Sequence, residues 1–128
     1  MDGLAGKRVL IVEDEPIIAL LLEDMIDELG MTVSARASTL AEARELAEAP
    51  SFDAAILDIN LHGQMSYPAA ELLARQGVPL VFVSGYARDR MPPLLANAPL
   101  VPKPYQPHQI AAALASVLGL RGAACRPS

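Results

Sequence analysis

Tryptophan is missing from this 128-residue chain, and two phenylalanines and three tyrosines bring the aromatic share to only 4%. A surface that holds single-stranded nucleic acid stacks bases on aromatic rings, and any nucleic-acid surface needs a basic patch. Here 10 basic side chains stand against 15 acidic ones, for a formal charge of −5, so no nucleic-acid partner is expected. Cysteine is nearly as scarce. The single thiol, Cys125, cannot form an internal bridge, suits a reducing compartment and reads as an incidental tail residue. No apolar run approaches the ~20 residues needed to cross a bilayer, and the N-terminus lacks the basic, apolar and small-residue succession of a secretory signal. A cytoplasmic protein without a membrane partner is expected.

What is present suffices for a core. Hydrophobic residues make up 52% of the chain, and a chain of this length buries roughly two-thirds of the surface it exposes when unfolded, without metal or disulfide staples. One domain over residues 1–128 is expected, with its core at about 7–118 and a flexible tail over 121–128. Charge is uneven along it. Residues 1–60 carry 13 acids and 4 bases, residues 61–128 only 2 acids and 6 bases, so the acidity needs a local cause.

Lys7 to Val12 is a branched apolar run that stops abruptly at Glu13-Asp14-Glu15, the pattern of a strand buried on both faces. Pro16 suits a first helical turn, and Ile18, Leu21, Leu22, Met25 and Leu29 follow at helical spacing until Gly30. Thr32 to Arg36 predicts a second strand. Thr39 with Glu42 three residues on has capping-box spacing for a second helix, which Pro50 closes. Phe52 to Ile59 predicts a third strand, ending at Asp58, and a loop from Asn60 to Ser66 leads to a helix opening near Pro68 and stopping at Gly77. Pro79 to Ser84 predicts the fourth strand. Pro92 and Pro93 confine any fourth helix to a start there and an end near Asn97. Leu100 and Val101 form a very short fifth strand, and a last amphipathic helix runs from Pro107 to Gly119. Five strands alternating with five helical segments specify an α/β fold, a doubly wound parallel sheet whose ligands bind beyond the carboxyl ends of the strands.

Those ends carry Glu13 and Asp14, Asp58, Ser84 and Lys103. Three carboxylates brought to one edge repel one another and raise each other's pKa unless a cation sits among them. A hard divalent ion with oxygen ligands resolves the repulsion, and Mg²⁺ is the expected one. Lys103 and the Ser84 hydroxyl add what a phosphoryl group needs to neutralise its oxygens. Other acids read as solvated surface: Glu23, Asp24, Asp27 and Glu28 along the first helix, and Glu15 at its start. His62 and His108 lack a second ligand nearby in sequence and are expected neither to bind metal nor to catalyse.

The run Val9-Leu10-Ile11-Val12-Glu13-Asp14-Glu15-Pro16, with Leu57-Asp58-Ile59-Asn60, Val83-Ser84-Gly85 and Lys103-Pro104, closely resembles the receiver domain of two-component response regulators in order and spacing. The resemblance implies a flavodoxin-like (βα)5 fold with a five-stranded parallel sheet in the order 2-1-3-4-5. It also implies roles: Asp58 as phosphoacceptor, and Glu13, Asp14, Asp58 and the backbone carbonyl of Asn60 as the Mg²⁺ shell. By the same resemblance Ser84 is the switch hydroxyl, Lys103 the contact to the phosphoryl oxygens, and Pro104 follows a cis peptide bond. A histidine kinase or histidine phosphotransfer protein would be the donor and a protein partner the recipient of the signal, the chain being a monomer or weak homodimer. It would be no enzyme beyond its own phosphotransfer and dephosphorylation.

Two departures from the family stand out. The position three before the lysine, usually aromatic, is Leu100, and the aromatic residue is instead Tyr86, in Val81-Phe82-Val83-Ser84-Gly85-Tyr86. This resembles stand-alone receivers with a Phe-x-Ser/Thr-Gly-Tyr fourth strand, common in bacterial stress and sensory pathways with histidine-kinase partners. Gly85 would admit the donor, and Tyr86 would report the switch and shield phosphorylated Asp58 from water. The loop Leu61-His62-Gly63-Gln64-Met65 replaces the common Met-Pro pattern and is expected to reshape donor access. Rival readings are a flavodoxin-like electron carrier, which Glu13-Asp14-Glu15 would oppose by repelling the flavin phosphate, and an Asp-x-Asp phosphatase, whose second acid is here Asn60. A degenerate receiver acting as an unphosphorylated adaptor, or a receiver cut from a hybrid kinase, are the remaining alternatives. With the domain filling the chain and leaving no room for a DNA-binding module, the output is expected to be another protein.

Overall fold

The computed structural model describes residues 3–85 and 91–119, so Tyr86 and the tail from 121 lie outside the described residues. Five strands, β1 (Arg8–Val12), β2 (Thr32–Ala37), β3 (Ala54–Asp58), β6 (Leu80–Ser84) and β7 (Leu100–Pro102), form one sheet in the order β2-β1-β3-β6-β7. Every pair in it is parallel. Counted as sheet strands alone, this is the expected order 2-1-3-4-5. Helices α1 (Pro16–Glu28), α2 (Leu40–Glu48), α3 (Tyr67–Arg75) and α4 (Pro107–Val117) cover its two faces.

Side chains on a strand alternate between faces, and the continuous apolar runs fill both. Leu10 and Val12, Ala55 and Leu57, and Leu80 and Phe82 join Ala43, Ala47, Ala70 and Leu73 of α2 and α3 in one core. Their neighbours Val9 and Ile11, Ala54 and Ile56, and Val81 and Val83 join Leu22, Ile26, Ile110 and Leu114 of α1 and α4 in the other. The second core reaches further upstream than expected. Leu4 is fully buried in it, held by a turn in which the Gly6 N–H donates to the Gly30 carbonyl at 2.8 Å.

Several local signals operate as read. Pro16 opens α1, and Gly30 turns the chain out of it at φ 82°. Thr39 caps α2, its hydroxyl accepting from the Glu42 N–H at 3.1 Å. The other half of the box differs: the Glu42 carboxylate accepts from the Ser38 N–H at 2.8 Å and from its hydroxyl at 3.1 Å.

Two expectations are corrected. The fourth helical segment is, among the described residues, a single 3-10 turn at Pro93–Leu95. Its bonds, Leu95 N–H to Pro92 and Ala96 N–H to Pro93, reach back three residues, and neither proline has an N–H with which to lengthen a helix. The expected loop after Asp58 is instead a hairpin, β4 (Asn60–Leu61) paired antiparallel with β5 (Gln64–Met65). His62 and Gly63 turn it with φ of 50° and 86°, the left-handed pair that a two-residue type I′ turn requires. Among the described residues no helix is long and apolar enough to cross a membrane.

Candidate functional site

The strand order reverses between β1 and β3, since β1 turns to β2 on one side and β3 to β6 on the other. Beyond the carboxyl ends there the crossovers diverge and leave a crevice. Glu13 continues β1 by one residue, its N–H donating to the Ala37 carbonyl at 2.9 Å. Asp58 is the last residue of β3. Both are buried, at 2% and 6% exposure, which is unusual for ionisable groups and calls for partners.

Lys103 supplies them. Its Nζ lies 2.9 Å from Asp58 Oδ2 and 3.3 Å from Glu13 Oε1. The lysine arrives because β7 pairs with β6 and the Lys103 N–H donates to the Ser84 carbonyl at 2.8 Å. Burial lowers the pKa of its ammonium, but the hydrogen bond and charge of Asp58, helped by Glu13, outweigh this and hold it above the ordinary value. Burial acts the other way on Glu13, pushing its carboxyl up to about 7; the Glu15 N–H and Lys103 pull it down, and the charge of Asp58 adds to the rise.

Asp14 completes the group. One carboxylate oxygen from each of Glu13, Asp14 and Asp58 lies within 4.8 Å of the others. Three carboxylates against one ammonium leave two negative charges to be balanced, and the donors are all oxygens, so the residues fit a hard divalent cation. The structure therefore brings together Glu13, Asp14, Asp58 and Lys103. Asn60 stands at the same edge, its N–H donating to Asp58 Oδ1 at 3.3 Å. Within the hairpin Asn60 opposes Met65, and the next residues out are joined by the Ser66 N–H donating to the Ile59 carbonyl at 2.8 Å. Asn60 is thus in a non-hydrogen-bonded pair, and its own peptide groups point away from Met65.

Ser84 ends β6 and is buried, one residue beyond Val83, which faces Asp58 across the β3–β6 pair. Gly85 is exposed, and a Cβ there would meet nothing within 4 Å, so packing within the described fold does not demand the glycine. The Lys103–Pro104 peptide is cis, as the resemblance implied. Leu100 pairs with Phe82 in the sheet, whereas Tyr86 lies outside the described residues.

Two further residues belong to this edge, His62, for which the sequence pointed only to its loop, and Tyr105, which it did not single out. His62 donates its N–H to Asp14 Oδ2 at 2.9 Å and places Nδ1 3.4 Å from the same oxygen. Tyr105 lines an apolar groove with Ile18, Leu21, Met25, Lys103 and Pro104. Its buried hydroxyl has no hydrogen-bond partner among the described residues. Burial pushes that phenol above its ordinary range, and the charges of Glu13 and Asp58 add to the shift. Position after Lys103-Pro104 was the available signal for Tyr105. For His62 the signal was its place in the loop that departs from the family pattern, not its own chemistry.

A parallel sheet of this order, with buried carboxylates and a lysine gathered beyond its carboxyl ends, defines a doubly wound α/β domain with a charged site at its topological switch point. Residues 9–115 match the response regulator receiver domain, and the chain belongs to that family. Among curated relatives it is 34% identical to the phyllosphere-induced regulator PhyR of Methylorubrum extorquens, over 94% of this chain and 47% of that protein. The chain spans about half the length, or less, of the curated relatives it matches. Among solved structures, SdrG from Sphingomonas melonis is 39% identical with a TM-score of 0.77, over 91% of this chain and 98% of that one. The receiver domain of a sensor histidine kinase from Pseudomonas aeruginosa, solved with magnesium in its active-site cleft, is 25% identical with a TM-score of 0.76, over 90% and 99% of the two chains.

Proposed function

We propose that the chain is a phosphoryl-accepting receiver. Asp58 takes a phosphoryl group from the histidine of a kinase or phosphotransfer protein in a Mg²⁺-dependent reaction, and the change is passed to a protein partner. The observation that carries this reading is the buried Asp58 carboxylate with Lys103 Nζ at 2.9 Å and the oxygens of Glu13 and Asp14 beside it.

A carboxylate oxygen of Asp58 attacks phosphorus in line. The bond from phosphorus to the donor nitrogen breaks, its electron pair stays on the imidazole, and an acyl phosphate is left on Asp58. Lys103 shifts from pairing with the carboxylate to neutralising phosphoryl oxygens, with no need to leave its position just beyond β7. Glu13, Asp14, Asp58 and the Asn60 carbonyl would hold Mg²⁺, which would supply the remaining positive charge against the incoming phosphoryl group, a reading supported by the magnesium in the Pseudomonas aeruginosa relative. The added charge on Asp58 draws on the Ser84 hydroxyl. Because the Ser84 carbonyl holds the Lys103 N–H at 2.8 Å, movement there reaches both β6 and β7. The chain turns over no substrate other than its own phosphoryl group.

Incubation with Mg²⁺ and acetyl phosphate should add one phosphate mass to the wild type and none to Asp58→Asn. An unmodified wild type would favour a phosphorylation-independent adaptor, and an adduct on both proteins would move the site elsewhere.

A further inference from the structure

We propose that the Asn60–Met65 hairpin is a clip that positions the Asp14 carboxylate for a divalent cation, with the His62–Gly63 turn as its positioning element. The inference rests on the reading of the acidic pocket as a Mg²⁺ site. Its grounds lie in the hairpin itself, which grips the pocket at two points: the Asn60 N–H donates to Asp58 Oδ1 at 3.3 Å, and at the tip the His62 N–H donates to Asp14 Oδ2 at 2.9 Å.

Asp14 needs such a holder. It lies in the short β1–α1 connection, its side chain is 13% exposed, and among the described residues His62 is the one hydrogen-bond partner of its carboxylate. The turn that delivers this N–H is built for the purpose. Asn60 Oδ1 accepts from the Gly63 N–H at 2.8 Å, so a pocket residue also sets the turn. His62 takes φ 50°, a left-handed conformation in which glycine or asparagine is the ordinary choice. A plain connection from β3 to α3 requires neither this conformation nor this pair of contacts. A carboxylate fixed by an N–H on one lone pair presents the others in a constant direction, which is how outer partners raise metal affinity.

Gly63 allows a clean test. It holds φ 86°, and a Cβ there would meet nothing within 4 Å, so a substitution acts through backbone conformation rather than a clash. Gly63→Val, β-branched and unsuited to positive φ, should weaken Mg²⁺ binding by about tenfold or more, while Gly63→Asn should stay close to wild type. His62→Gly keeps the N–H and should also bind nearly as wild type. Asn60→Ala, which unties the turn but keeps the main chain, should follow Gly63→Val. Affinity is read by calorimetry with MgCl₂ on the full chain, beside the thermal midpoint of each metal-free variant. A structural role alone would lower the midpoint without this pattern in affinity. Wild-type affinity in both Gly63→Val and Asn60→Ala overturns the clip. Absence of Mg²⁺ binding in the wild type overturns the reading on which it rests.

Discussion

The two sides of the sheet meet at Asp58 and are built differently. On the side of β2, β1 and β3, the crossovers are complete helices of 13 and 9 residues, and the ends of β1 and β3 carry acids. On the side of β6 and β7, the described part of the crossover is a three-residue 3-10 turn, β7 has three residues, and the strand ends carry a hydroxyl and a lysine. The first side is a fixed scaffold for negative charge. The second is joined to it along the β3–β6 pair, and the Lys103 side chain reaches across to Asp58 and Glu13. The difference separates two tasks, since a cation site needs fixed ligands, whereas a switch needs an element whose position responds to charge.

The largest effect should come from the acidic side. In the folded, metal-free chain the Glu13 carboxyl is pushed up to about 7 from an ordinary 4.5. Between those two values the folded chain holds a proton that the unfolded chain has lost, so stability falls as pH rises through the window, by roughly 3 kcal/mol in total. Glu42 and Asp53, whose carboxyls lie below their ordinary values through hydrogen bonds to the Ser38 and Arg8 main chains, act below that window. Urea unfolding in the presence of a chelator should show the decline in wild type and its near-absence in Glu13→Gln. An equal decline in both would mean that burial of Glu13 is not the source.

Lys103 tests the other side. Lys103→Met should slow phosphoryl uptake from acetyl phosphate at saturating Mg²⁺ on the order of a hundredfold, the usual cost of removing one preorganised charge partner. The same change takes a positive charge away from three carboxylates, so Mg²⁺ should bind at least as tightly as in wild type. Time courses of the mass adduct and calorimetry measure the two separately. Weakened Mg²⁺ binding in Lys103→Met would show that the lysine also organises the acidic side, and the division would fail.

The same division explains what was legible in the amino-acid sequence. β1, β3 and β6 are apolar runs cut off by Glu13, Asp58 and Gly85, and such runs with polar ends read clearly because a parallel strand buried on both faces tolerates no interruption. The convergence of Glu13, Asp14, Asp58 and Lys103 follows from strand order alone. The hairpin did not read because each of its strands has two residues, too few for an alternation, and His-Gly lacks the strength of Asn-Gly as a turn signal. Consequently the contact of His62 with Asp14, 48 positions apart, was out of reach. The fourth helical segment was legible in its place but not in its kind, because proline is compatible with a helix start and with a 3-10 turn alike, and only the bonds returning to Pro92 and Pro93 distinguish them. Leu4 was missed because one apolar residue among Gly3, Ala5 and Gly6 carries no period.

The smallest effect concerns whether the scaffold side owes its regularity to local signals or to packing. Thr39 accepts the Glu42 N–H at 3.1 Å, satisfying one of the donors a helix start leaves open, and α2 buries only Ala43 and Ala47 among its nine residues. With so little apolar area in its own span, α2 should depend on its cap, and Thr39→Ala should cost about 1 kcal/mol. Because the Thr39 hydroxyl bonds the Glu42 N–H and none of Glu13, Asp14, Asp58 or Lys103, that loss should appear in the urea midpoint while the rate of phosphoryl uptake by the folded protein stays within about twofold, well under the tenfold that 1.4 kcal/mol would represent. A matching fall in uptake would mean that the acidic pocket feels the packing of α2, and that the scaffold side is less fixed than its complete helices suggest.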